Sequence, residues 1–297
     1  MTNLYISPIE YSKAPTGQEL ASLVGNLLRV GTGGISAGGT SLSVTPVTTV
    51  ALSQYDNLYL FDGSASEIVQ VTAATNAGAS SIPITATLFA HATGVPLCSD
   101  GAYGSLGEAL VEGSAHLERY TEQSLLATTY TNEVLRLRTM EAAITSDGSL
   151  HFRPRQWPIT AVSGLALLLQ AGTTIALDPT QAIISSRAQS VDVPLISTIS
   201  AGISLLSALP PLTQLDQAWL QVTYTAGYAY SVLPWDIKRA VTLLTSNVLT
   251  DRQNENGAAD VRLGGKQLTM FLRGDATGET TFEKRAYSLL DKYRRVS

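Results

Sequence analysis

Apolar residues recur at three-and-four spacing in four stretches of the chain, the period that turns one face of an α helix toward a core. Leu20, Leu23, Val24 and Leu27 follow Thr16 and Glu19; Leu106, Leu110, Leu117 and Tyr120 follow Ser105 and Glu108. Phe282, Ala286, Leu289, Tyr293 and Val296 follow Thr280 and Glu283. In each case a hydroxyl residue with a glutamate three positions later makes a capping box, which satisfies free N–H groups at a helix start. The remaining stripe, Ile237, Ala240, Val241, Leu244 and Val248, begins behind Pro234 and Asp236. A proline fits the first turn, where its missing N–H costs nothing, and a carboxylate suits the positive helix end. Gly113 and Ser114 lie on the second stripe and permit close approach of another helix.

Between the first two helices the pattern changes to period two. From about Val30 to Cys98 the chain is rich in Gly, Ser, Thr and Ala and poor in charge. Ser41–Val44, Asn57–Phe61, Glu67–Ala73 and Ser80–Ala86 read as short strands, with turn signals at Asp62-Gly63 and Asn76-Ala77-Gly78. The expectation is a small all-β domain, barrel or sandwich. From Thr129 to Val222 the chain is again mainly β, and Leu165–Leu169 and Thr174–Leu177 flank a hairpin signal at Gln170–Thr173. No charge occurs between Arg155 and Asp178, so this hairpin is either core or a subunit contact. The fold class expected is α+β: a small helical bundle with hairpins and strands, plus the inserted all-β domain.

Composition sharpens that picture in one respect. The 297 residues are 44% hydrophobic but only 14% charged, against about 25% in an ordinary soluble domain. A low-charge surface is easily desolvated, which suits packing between subunits. The net charge of −5 gives no global nucleic-acid footprint. Cys98 is the only cysteine, which excludes an intrachain disulfide framework and reads as a small buried hydrophobe. The opening MTNLYISPIEYSK lacks the basic flank and apolar run of a signal peptide, and Val193–Leu215 is interrupted by polar residues and Pro210-Pro211. No membrane segment is expected.

Candidate chemistry is sparse. Gly34-Ile35-Ser36-Ala37-Gly38 fits G-x-S-x-G, but a nucleophile elbow needs a strand before it and a helix after it, and Thr40–Val44 favours a strand. The Gly31–Gly39 run lacks the G-K-[ST] ending of a phosphate loop. His91, His116 and His151 show no metal-ligand spacing and read as surface or satisfied histidines. Glu108, Glu112, Glu118 and Glu122 read as a solvated helix face. No catalytic residue, cofactor or metal ligand is expected.

The most informative stretch is Leu220–Ala240, LQVTYTAGYAYSVLPWDIKRA: a strand, a glycine turn, a proline and an amphipathic helix. It resembles the helical head–tail connector (adaptor) proteins of tailed phages. There a strand ending "VTYTAGY" precedes a "P-x-D-[IL]-[KR]-x-A" helix. Tyr224, Thr225, Ala226, Gly227 and Tyr228 match the first half; Pro234, Asp236, Ile237, Lys238, Arg239 and Ala240 match the second. Upstream, Glu118-Arg119-Tyr120-Thr121 and Arg153–Val162 match two further family segments, with departures at Glu122 and Gln156-Trp157. Glu67–Val71 and His91–Pro96 also resemble an "E-x-V-x-V … H-A-x-G-x-P" β module of phage structural proteins.

The resemblance implies a non-enzymatic virion protein, assembled in the host cytoplasm and located at the neck. Its implied partners are the portal protein, a downstream neck or tail protein (stopper or tail terminator) and further copies of itself in a dodecameric ring. DNA passes through the channel in packaging and ejection, without sequence-specific binding. The domain division expected is an N-terminal helix in 1–29, the inserted β domain in 30–99, the connector domain in 100–278 and a C-terminal docking helix in 279–297. That helix carries Lys284, Arg285, Lys292, Arg294 and Arg295 against Glu279, Glu283 and Asp291. Behind the glycine-rich tether Asn254–Gly278, its residues Phe282, Arg285, Ala286, Leu289, Tyr293, Arg294 and Arg295 are the expected portal contact. The competing placement packs this helix on its own subunit. A competing function is a tail or baseplate adhesin whose β module stacks a glycan on Tyr55, Tyr59, Phe61 or Phe89.

Overall fold

The computed structural model describes residues 3–14, 24–101, 105–137, 139, 141–145, 149–169, 174–185, 189–194, 218–257 and 281–294. The fold is α+β with antiparallel sheets. It divides into two compact units, residues 1–122 with 230–297, and residues 123–229.

The first unit opens with α1 (Pro8–Lys13), set by a capping box in which Ser7 accepts from the Glu10 amide and Glu10 accepts from the Ser7 amide. Val24 and Leu27, expected on a helical stripe, lie instead in strand β1 (Val24–Val30). The reason lies in the alternation: Asn26, Leu28 and Val30 are buried while Leu27 and Arg29 face outward. The β segment therefore begins at Val24 rather than at residue 30. Residues 15–23, which hold the expected cap Thr16 and Glu19, lie outside the described residues.

Strands β2 (Ser41–Thr45), β3 (Asn57–Leu60), β4 (Glu67–Gln70), β5 (Ser81–Pro83) and β6 (Pro96–Asp100) complete a six-stranded sheet in the order β4-β3-β6-β1-β2-β5. The Thr85 amide donates to the Gln70 carbonyl and Val71 bridges Ile84, so the sheet returns on itself as a barrel. Leu28, Leu42, Val44, Leu58, Leu60, Val69, Ile82, Ile84 and Leu97 fill it.

The barrel is built twice from one pattern. Ile35-Ser-Ala-Gly38-Gly-Thr-Ser-Leu42-Ser-Val44-Thr45 aligns with Thr75-Asn-Ala-Gly78-Ala-Ser-Ser-Ile82-Pro-Ile84-Thr85, and the hydrogen bonds repeat with it. The Val44 amide donates to the Ser80 carbonyl and the Ile84 amide to the Thr40 carbonyl, both at 2.9 Å. The Gly38 amide donates to the Thr87 carbonyl and the Gly78 amide to the Thr48 carbonyl, both at 2.7 Å. Ile35 bridges His91 as Thr75 bridges Leu52. Leu42 and Ile82 face each other where β2 meets β5, on the pseudo-two-fold axis. Both turns need positive φ, +80° at Gly38 and +88° at Gly78, which glycine supplies without steric cost.

After the barrel, α2 (Leu106–Thr121) is capped by Ser105 as its sequence requires and buries Leu106, Leu110 and Leu117. The helix α3 (Trp235–Gly257) crosses it at Gly113, where an added Cβ would sit 2.5 Å from the Thr245 hydroxyl. Ile237, Ala240, Val241, Leu244 and Val248 are buried as the stripe demands. So are Thr242, Thr245, Ser246 and Asn247, so this helix is enclosed on every side over Ala240–Leu249. Thr242 tolerates that burial by donating to the Lys238 carbonyl one turn back at 2.9 Å, and the Ser246 hydroxyl lies 3.0 Å from the Tyr11 hydroxyl of α1. Further along this unit comes α4 (Thr281–Leu290), followed by a 3-10 turn over Asp291–Tyr293.

The second unit has two four-stranded sheets. One is β11-β10-β14-β7 and the other β12-β13-β9-β8, from β7 (Thr128–Arg136), β8 (Ala142–Ile144), β9 (Ser149–Phe152), β10 (Ile159–Leu168), β11 (Thr174–Leu177), β12 (Ile183–Ser185), β13 (Ser190–Pro194) and β14 (Trp219–Ala226). Leu135, Leu150, Phe152, Leu167, Val191, Val193, Leu220 and Val222 make one core between them. The apolar hairpin is present as β10 and β11, in register from Leu165↔Leu177 to Leu168↔Thr174.

Candidate functional site

The residues that carry the family resemblance fall in two places, one in each unit. In the second unit, β14 delivers Tyr224 into the core, fully buried, with its hydroxyl donating to Glu133 and accepting from the Gln156 amide at 3.2 Å. Burial, then the Glu133 carboxylate beside it, push the Tyr224 hydroxyl far above its ordinary 10.0. Tyr130 stacks on its ring at 5.4 Å. Thr225 pairs with Thr129 across the ladder, their hydroxyls 3.2 Å apart, and Ala226 is buried. Gly227 has φ +100°, and a Cβ there would fall 2.4 Å from the Leu126 carbonyl. Its amide donates to the Pro158 carbonyl and the Tyr228 amide to the Leu125 carbonyl, both at 2.8 Å, so the turn is pinned from both sides. Arg155 joins the same cluster, its amide donating to Glu133 at 3.1 Å.

In the first unit, Pro234 precedes α3 and its carbonyl accepts from the Ile237 and Lys238 amides. Asp236 is buried and accepts from its neighbouring Ile237 amide, from the Tyr293 hydroxyl at 2.9 Å, and from Lys292. Burial opposes ionisation, but those partners outweigh it and hold the carboxyl below 3.8. Lys238 reaches Glu10 at 2.6 Å and lies 4.6 Å from the centre of the Tyr230 ring. Tyr230 donates to the same Glu10, whose carboxyl is held below 4.5 despite burial by bonds from Lys238, Tyr230 and Ser7. Arg239 is exposed. The motif therefore ties α3 to α1 through Lys238 and to the chain after α4 through Asp236. Glu10, Tyr230 and Glu133 complete these clusters, and no sequence spacing announces them.

The helix α4 is packed on its own subunit. Ala286 and Leu290 are buried, Phe282, Leu289 and Tyr293 half-buried, and Arg285 and Arg294 exposed; Arg295 lies outside the described residues. Tyr287 stacks on Tyr120 with ring centres 4.2 Å apart, and Arg294 lies 5.6 Å from the Tyr120 ring. Arg239, Leu243, Lys284, Arg285, Ser288 and Leu289 line an open groove of about 420 Å³ between α3 and α4. Its charged side chains are three cations. Residues 254–257, expected in the tether, continue α3, and the rest of that tether lies outside the described residues.

The remaining candidates resolve as follows. Ser36 sits in a turn followed by β2, not by a helix, so the elbow context is missing. Cys98 is fully buried in β6 and its thiol is pushed far up by burial, which suits a packing residue. His91 lies between Asp62 and Glu67, His151 is 2.7 Å from Asp192, and His116 is 3.9 Å from Glu112. Glu118 departs from the solvated face expected of it: it accepts from Asn3 and from the Tyr5 hydroxyl, both at 2.6 Å. Of the four aromatics that would stack a glycan, Tyr59 and Phe61 are buried. Among the described residues no group of His, Cys, Asp and Glu could hold a metal ion, and no helix is long and apolar enough to cross a membrane.

No protein-family model and no curated protein matches the chain. Among solved structures it is similar to a chain in the neck of an empty gene transfer agent particle computed with C6 symmetry, at 17% identity and a TM-score of 0.35, over 65% of this chain and 77% of that one. A chain in the virion of a native gene transfer agent particle gives 17% identity and 0.33, over 65% and 77%. A chain in the native particle's neck, computed with C12 symmetry, gives 18% and 0.33, over 65% and 82%. Superpositions this loose carry no argument about function.

Proposed function

We propose that this protein is a head–tail connector (adaptor) of a tailed-phage-like particle, a structural component of the neck with no catalytic role. The observation that carries the reading is the paired motif Tyr224–Tyr228 and Pro234–Ala240, matched residue by residue in a strand, a positive-φ glycine and a helix. In this reading copies close a dodecameric ring beneath the portal, extend the DNA channel and receive the stopper or tail terminator. The basic groove of Arg239, Lys284 and Arg285, with Leu243 and Leu289 as its apolar lining, takes an acidic segment of the portal. Exposed arginines and lysines beside half-buried apolar side chains suit such a segment, because charge steers the encounter and the apolar floor holds it.

Particles assembled without this protein test the reading. DNA-filled heads and separate tails are the expected products; complete particles would exclude a connector role. Charge reversal at Lys284 and Arg285 tests the groove, and it should abolish capture by purified portal. Both side chains are exposed, so the melting temperature should hold.

A further inference from the structure

The duplicated barrel places two buried polar side chains at equivalent points, and the chain has made them different. At the start of β1, the Asn26 amide oxygen accepts from the backbone amides of Thr49 and Val50 at 2.8 and 3.0 Å. At the start of β4, Glu67 does the same for Leu88 and Phe89 at 2.8 and 3.2 Å. Each side chain thus pins the loop that follows β2 or β5. Asn26 is neutral and needs no counter-charge. Glu67 brings a carboxylate into the same buried setting, and the residue equivalent to Leu52 has become His91, whose Nε2 lies 2.7 Å from Glu67. The other ring nitrogen, Nδ1, lies 3.0 Å from Asp62.

That geometry fixes the charge state that fits. A neutral imidazole has one N–H and one lone pair, so one of these two carboxylates would face a lone pair. Only the imidazolium donates to both. We propose that Asp62, Glu67 and His91 form a proton-dependent latch on the 86–91 loop, the titratable counterpart of the pH-indifferent Asn26 latch on the 47–50 loop. The charged groups facing His91 are Asp62, from the loop after β3, and Glu67, from β4; the 31–39 segment that pairs with it through Ile35 carries no charge. Burial opposes protonation of His91, but the bonds to Asp62 and Glu67 outweigh it and raise its pKa above 6.5. The latch adjoins the Glu10–Tyr230–Lys238 cluster: Gly63, next to Asp62, packs against Tyr230, and a Cβ there would lie 3.2 Å from that side chain.

The sign follows from the raised value. The bound proton stabilises the closed loop fully below the unfolded pKa of about 6.5, and that contribution is lost as pH rises through the folded value. Residue-resolved amide exchange on the full chain, corrected for intrinsic chemical rates, reads this directly. Protection at Leu88 and Phe89 should fall by up to about tenfold per pH unit across that window, while Thr49 and Val50 stay constant as an internal control. If all four amides change together, or none does, the latch is refuted. The double variant Glu67→Asn with His91→Leu copies the Asn26–Leu52 arrangement and should show flat protection at both loops. A variant that keeps the pH step would also refute the idea, and if it does not fold, the wild-type comparison decides alone.

Discussion

At the scale of single residues, the side chains of Tyr224–Tyr228 and Pro234–Ala240 act through bonds that hold chain segments in place. Gly227 is the sharpest instance, because a side chain there meets both an unfavourable φ and the Leu126 carbonyl. Gly227→Ala should cost about 3 kcal/mol or more in chemical denaturation, a loss that backbone strain and overpacking together produce. Asp236 makes a different prediction, one that depends on pH. Its folded pKa lies below 3.8, so its contribution is present above the unfolded pKa and is lost as pH falls through the folded value. Asp236→Asn should therefore destabilise the protein by about 1–3 kcal/mol at pH 7, and the gap from wild type should begin to narrow below about pH 4 and close only once the pH is under the folded value. Parallel denaturation series at the two pH values check both statements.

At the scale of elements, what could be read from the sequence was what local chemistry decides. Ser105 capping α2, Pro234 ahead of α3, and the β10–β11 hairpin are all set within a few residues, and each is where its signal puts it. Strand β1 was hidden because Val24 and Leu27 also satisfy a helical spacing, and only burial of Asn26 and Leu28 separates the two periods. The enclosure of α3 was hidden for a related reason: Thr242, Thr245, Ser246 and Asn247 look solvent-facing, yet Gly113 of α2 lets the backbones approach until those small side chains are covered. The barrel's duplication escaped because its halves share few identical residues and repeat chiefly in backbone bonding. For α4, the glycine-rich tether ending at Gly278 points to a helix free to leave its subunit. The structure instead buries Ala286 and Leu290 and pairs Lys292 and Tyr293 with Asp236. Truncation at Gly278 should lower stability by about 3 kcal/mol, the burial of one large apolar side chain plus a buried hydrogen bond, and so lower the melting temperature by several degrees. A truncated protein that melts like the full chain would show that α4 is not docked in solution.

At the scale of the whole molecule, the chain leaves the first unit once and returns once. Residues 123–229 form a contiguous unit with its own two-sheet core, whereas the first unit needs both 1–122 and 230–297. Its barrel has a closed apolar interior, yet Lys238 of α3 and Tyr230 just before it reach Glu10 from the far side of the sequence. This arrangement predicts an asymmetry between fragments. Residues 123–229 should fold alone and melt cooperatively, since all the strands that line the core are present. Residues 1–122 alone should lose cooperative order in α1 and α2, because the surface that α3 covers is left exposed, and adding 230–297 as a separate chain should restore it. In the intact protein the same division should appear in calorimetry as two transitions. Phe152→Ala removes a fully buried ring from the second unit at a cost of about 3–5 kcal/mol, and should lower one transition while the other stays in place. A single transition that shifts as a whole would mean that the two units unfold together.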